Sequence, residues 1–165
     1  MSMSTEELKR TKLDRMRYTK NTLSSRMALL GIVFNVLYFV SIYESDVGSW
    51  YYRILIGASI VYNLLFMLMV FLASEGVKNY KISYSILLMV VGAAQIARIF
   101  ILPMQAHHAL IAKSTVPIMQ NGQFIWTIVC LVLSAACCLY GGVVGIKRSR
   151  TLHAYLASLE QEKVA

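Results

Sequence analysis

Gln95 and Arg98 stand three residues apart in the otherwise apolar run LLMVVGAAQIARIFILP, and Asn35 and Asn63 sit near the middle of two other apolar runs. A guanidinium carries a permanent charge and a fork of N–H donors, and each carboxamide offers both a donor and an acceptor. In an apolar medium such groups lose water, so an amide facing lipid is penalised and one facing another helix recovers its hydrogen bonds. Asn35, Asn63, Gln95 and Arg98 are therefore the candidate members of an intramembrane polar network or path. Packing glue and a polar lining both remain open for them.

Arg98 lies five residues before Pro103. It is thus several ångströms short of the end of its segment, at ~1.5 Å per helical residue, and snorkelling is available to it. Structural or lipid anchoring, recognition of a partner, and an ion or substrate path are the competing readings of an intramembrane charge. No Asp or Glu lies inside the apolar runs. Glu44 or Asp46 could meet Arg98 only near the rim, and Gln95, a helix carbonyl, a lipid phosphate or an acidic partner could satisfy it instead. The missing acid also removes any obvious proton relay or cation site, and a wet Arg98 would favour anions.

Other reactive side chains offer less. His107 and His108 suit contact with a partner in the connection that follows, but two adjacent imidazoles are a poor coordination set by themselves. Cys130, Cys137 and Cys138 fall within an apolar run and read as reduced packing residues. No HExxH sequence, phosphate-cradling glycine loop or nucleophile–base pair is present. No cofactor or metal is expected, and catalysis is the weaker expectation.

These groups need long helices to hold them. Hydrophobic residues make up 58% of the 165, and charged residues only 15%. Residues 27–43, 54–74 and 118–146 contain no charge, and 82–102 contains only Arg98. Runs of about 20 apolar residues match the ~30 Å hydrocarbon core, so the fold expected is an all-α, integral membrane four-helix bundle with spans near 24–43, 52–73, 82–103 and 123–146. Around it stand a basic segment 1–23, either a helix resting on the membrane or a disordered leader, and an amphipathic tail 147–165 that could dock on the membrane or a partner.

Thirteen basic residues fall on the side of the termini, against Arg53 and Lys113 on the other. Both termini are therefore expected in the cytoplasm, with the plasma membrane as the setting. The net charge of +8 is explained by attraction to anionic cytoplasmic lipid rather than by nucleic acid. Tyr43, Trp50, Tyr51, Tyr52, Phe124 and Trp126 suit an outer aromatic belt.

The fourth span adds a small-residue stripe, Cys130, Ser134, Cys137, Gly141 and Gly145, spaced for close helix approach within the chain or between copies. The reading that joins most of these features is a structural or regulatory subunit of a larger membrane complex, working with a protein partner or as a homo-oligomer. The alternative is an oligomeric channel or transporter with a polar path through Arg98.

Overall fold

The computed structural model describes residues 5–43, 50–108 and 119–164. They form helices α1 (Thr5–Tyr18), α2 (Thr22–Tyr43), α3 (Trp50–Lys78), α4 (Ile82–Ile101), α5 (Pro103–His108) and α6 (Asn121–Val164). Without water to take up N–H and C=O groups, an apolar segment can satisfy its backbone only internally, which is why these runs are helical throughout. Four of the helices, α2, α3, α4 continued by α5, and α6, are long and apolar enough to cross a membrane.

α2 packs on α3 and α6, and α4 packs on the same two, so the four long helices close a ring whose members alternate in direction. Small residues set how near they come. A methyl on Gly76 would stand 2.1 Å from the ring of Tyr84, and one on Gly142 would stand 2.6 Å from Met89 and 2.9 Å from the carbonyl of Ser85. The α3–α4 turn is equally tight. Lys81 N–H donates to the Gly76 carbonyl and Tyr80 N–H to that of Val77, a Schellman closure. The left-handed position it needs is filled by Tyr80 (φ 57) and not glycine, at a cost of about 1–2 kcal/mol.

The packing is inverted relative to a water-soluble bundle. Leu29, Val33, Val61, Leu64, Leu68, Phe71 and Val90 face outward, while Asn21, Ser25, Asn35, Asn63, Ser85, Gln95, Arg98 and Ser134 are buried. Inside, two apolar layers flank a polar one. Ala28, Phe66, Val70, Leu88 and Cys138 fill the layer toward the chain termini, and Tyr38, Ile42, Leu102, Met119 and Leu131 the layer toward the opposite, loop end.

Beyond the apolar run that ends near 146 the tail continues as helix: α6 runs unbroken for 44 residues, about 66 Å and twice a hydrocarbon core. The basic leader, for which a surface helix and disorder were the options, is the helix α1, packed on the far part of α6. There the Tyr155 hydroxyl donates to Asp14 Oδ1 at 2.7 Å. α1 has no buried residue, and only Leu13 and Met16 are partly covered, so this contact is a light one.

Candidate functional site: a buried arginine network

The polar layer is assembled by helical spacing. Asn35 and Tyr38 are three apart on α2, Ser59, Tyr62 and Asn63 span four on α3, and Gln95 and Arg98 are three apart on α4, so each set shares a face. α6 contributes Ser134. Arg98 Nη1 donates to Asn63 Oδ1 at 2.8 Å and to Asn35 Oδ1 at 3.3 Å, and Nη2 donates to Ser59 Oγ at 2.6 Å. Gln95 Nε2 donates to Asn35 Oδ1 at 2.8 Å and to Ser134 Oγ at 3.3 Å, and Ser134 Oγ donates to the Gly31 carbonyl at 2.8 Å. One chain of hydrogen bonds therefore touches all four long helices.

The guanidinium also lies between two aromatic rings, 4.4 Å from the centroid of Tyr38 and 4.5 Å from that of Tyr62. The negative faces of those rings add attraction that strengthens where water is excluded. Arg98 does not snorkel. It is 5% exposed and turned into the bundle. Among the described residues the ion pairs are Arg17–Asp14 and Lys78–Glu75, neither of which involves it. Glu44 and Asp46, the rim acids considered for it, lie outside the described residues.

A positive charge held only by neutral acceptors dictates the orientation of its neighbours. Asn35 and Asn63 must turn their carbonyl oxygens to the guanidinium, which directs their NH2 groups away. Among the described residues both Nδ2 atoms are buried without a hydrogen-bond partner, as is Gln95 Oε1. The layer thus combines a net positive charge with unpaired N–H donors, an arrangement that favours an incoming acceptor. A cavity of about 210 Å³ reaches it between α3 and α4, lined by Ser59, Tyr62, Ala94, Arg98 and Ile101 among others. Ile101 is 54% exposed, so this cleft opens sideways onto the apolar outer surface.

The four polar residues singled out in the sequence thus meet in one layer, although Gln95 bonds to Asn35 and not to Arg98. Ser59, Tyr38 and Tyr62 were missed. Their signal was the spacing of three or four residues, or direct adjacency, to Asn35 and Asn63, which is visible only once those two amides are taken to face inward.

The remaining candidates lie elsewhere. Cys130, Ser134, Cys137, Gly141 and Gly145 are all buried inside the chain. A methyl on Gly141 would stand 3.1 Å from the Ser24 carbonyl, and one on Gly145 would stand 2.5 Å from Ser85 Oγ. This stripe seats α6 against α2 and α4 and is not open to a second copy. His107 stacks on Phe124 at 4.2 Å and places Nδ1 3.4 Å from the Met119 carbonyl, while His108 is exposed. Among the described residues no group of three or more His, Cys, Asp or Glu side chains could hold a metal ion.

No protein-family model, curated protein or solved structure matches this chain.

Proposed function

We propose that this chain is a small integral membrane transport protein, and that an anionic solute binds at Arg98. One observation carries the reading: a guanidinium 5% exposed among apolar runs that contain no acid, held by neutral oxygens and accompanied by donors unpaired among the described residues. A carboxylate or inorganic anion entering from the α3–α4 cleft would replace Ser59 and Asn63 as acceptors, exchanging neutral hydrogen bonds for charge-assisted ones. The positive charge of Arg98 would repel competing cations, and the outward apolar surface would limit water. The apolar layers on either side close the axis in this state, so passage requires them to part in turn. Both ends of the chain are assigned to the cytoplasm by the excess of basic residues, and the plasma membrane, with anionic lipid on its inner leaflet, is the proposed setting.

Uptake of radiolabelled chloride and of small carboxylates into liposomes containing the purified chain tests this. Uptake above that of empty liposomes is expected, falling at least about tenfold in Arg98→Gln, consistent with loss of a charge-assisted contact. Equal uptake by the two proteins, or none by either, overturns it.

The reading as a structural or regulatory subunit draws on a separate observation, the continuation of α6 for some 18 residues past 146 with α1 against it. Intact-mass measurement on gently purified native membranes distinguishes it. A reproducible heteromer supports this second reading, and a homo-oligomer or monomer opposes it.

A further inference from the structure

At the end of the bundle that carries the termini, α1, the α3–α4 turn and α6 enclose a cavity of about 460 Å³. Lys12 and Arg15 of α1, Lys20 of the α1–α2 connection, and Lys147 and Arg148 of α6 line it together with Tyr80, and no acidic residue does. The volume lies within the range of small-ligand sites, roughly 300–1,000 Å³. Five like charges around one space repel one another, and the ion pairs among the described residues, Arg17–Asp14 and Lys78–Glu75, involve none of them.

Two features show construction beyond a run of surface lysines. Arg148 is anchored: its Nη1 donates to Oδ1 of the fully buried Asn21 at 2.9 Å, and Asn21 N–H in turn donates to the Lys78 carbonyl at 2.9 Å. Tyr80 occupies a left-handed turn position that glycine would fill without strain, and its side chain forms a wall of the cavity. Strain retained at a ligand-sized space points to a use for that side chain.

We infer that this cavity binds a group carrying two or more phosphates, with Lys12, Arg15, Lys20, Lys147 and Arg148 supplying the charge and Tyr80 a hydrogen-bonding wall. The cavity stands where the apolar runs of α2 and α6 give way to charged residues, the position lipid headgroups would take beside a membrane-spanning bundle. A diphosphate headgroup such as that of cardiolipin, or a free pyrophosphate group, presents this chemistry. The site is independent of anion binding at Arg98.

The full chain in neutral phosphatidylcholine nanodiscs is titrated with cardiolipin and, separately, with inorganic pyrophosphate, and bound ligand is read by native mass spectrometry. Saturable binding of one or both is expected. The paired variant Lys12→Gln/Lys147→Gln should weaken it about tenfold or more, given roughly 1 kcal/mol for each cation near an anionic surface. The charge-matched Lys9→Gln/Arg10→Gln, outside the cavity, should weaken it less than about twofold on the same scale. Tyr80→Phe, which keeps the buried ring and removes the hydroxyl, should weaken binding without lowering the thermal midpoint. Cardiolipin binding that pyrophosphate cannot displace assigns the site to lipid, and binding of pyrophosphate without cardiolipin assigns it to a soluble ligand. Absence of both, or equal loss in the two paired variants, overturns the inference.

Discussion

The polar layer around Arg98 and the basic cavity at the terminal end are both rich in N–H donors and free of acid, yet they manage charge in opposite ways. Arg98 is cut off from water, so neutral oxygens of Asn35, Asn63 and Ser59 and the rings of Tyr38 and Tyr62 must hold it in place. Lys12, Arg15, Lys20, Lys147 and Arg148 border a cavity open to solvent, where water and counter-ions screen their repulsion and, among the described residues, Arg148 is the one with a hydrogen bond to another side chain. The same kind of side chain is a fixed structural element in one place and an adaptable one in the other. Desolvation makes the difference.

That contrast can be broken most severely at the centre. Asn35→Leu removes the acceptor shared by Gln95 and Arg98 while leaving the charge buried, and should destabilise the folded chain by about 2–4 kcal/mol, read as a lowered unfolding midpoint in mild detergent. A midpoint unchanged from the parent would mean that water already serves Arg98 and that the layer is wet. Tyr38→Leu comes next. Loss of one ring face over the guanidinium should cost about 1–2 kcal/mol beyond the change in packing, whereas Tyr38→Phe keeps the face and the packing and removes only the hydroxyl. Similar losses in the two variants would assign the effect to the hydroxyl rather than to the ring face.

At the terminal cavity the expected effect on stability is smaller and opposite in sign. Lys147→Gln relieves repulsion and should leave the unfolding midpoint within about 0.5 kcal/mol of the parent or slightly above it, even as phosphate binding falls. A large loss of stability there would place the cavity in the same class as the central layer.

The smallest effect concerns Tyr155. Its hydrogen bond to Asp14, with the neighbouring carboxylate charge, holds the phenol above its ordinary ionisation range. A raised value in the folded chain means that the contact contributes below the ordinary phenol value of about 10 and is lost as pH rises through the higher folded value. Spin labels on α1 and the far part of α6 should therefore stay together at pH 8 and separate only as pH rises above the ordinary phenol value of about 10. Tyr155→Phe should remove this alkaline transition.

Much of the bundle was legible in advance because lipid imposes a simple rule: uncharged stretches of sufficient length become helices that satisfy their own backbone. The outlines of α2, α3 and α4 follow from it, as does the choice of Asn35, Asn63, Gln95 and Arg98 as the residues to watch. A helical tail was legible in the spacing of Leu152, Tyr155, Leu156 and Leu159, but its unbroken union with the fourth apolar run was not, because Lys147, Arg148 and Arg150 mark where that run ends and say nothing of whether the helix does. Tyr38 and Tyr62 were obscured for a different reason. Aromatic residues suit belts, cores and cation contacts alike, and only their neighbours decide among these.

What the sequence by itself determined is the four long apolar runs, the excess of positive charge at one end, and the absence of any acid that could neutralise Arg98 within its own run. These are properties of composition along a line, and the cost of moving polar groups into hydrocarbon converts them directly into structure. Only the tertiary structure decided that Arg98 turns inward rather than toward an interface, that it draws Asn35 and Asn63 into one layer, and that α1 folds back beside α6 to complete a basic cavity. The physical reason is that rotation about each helix axis and the pairing of helices depend on close packing at Gly76, Gly141, Gly142 and Gly145. That shape complementarity exists between segments, and no single segment contains it.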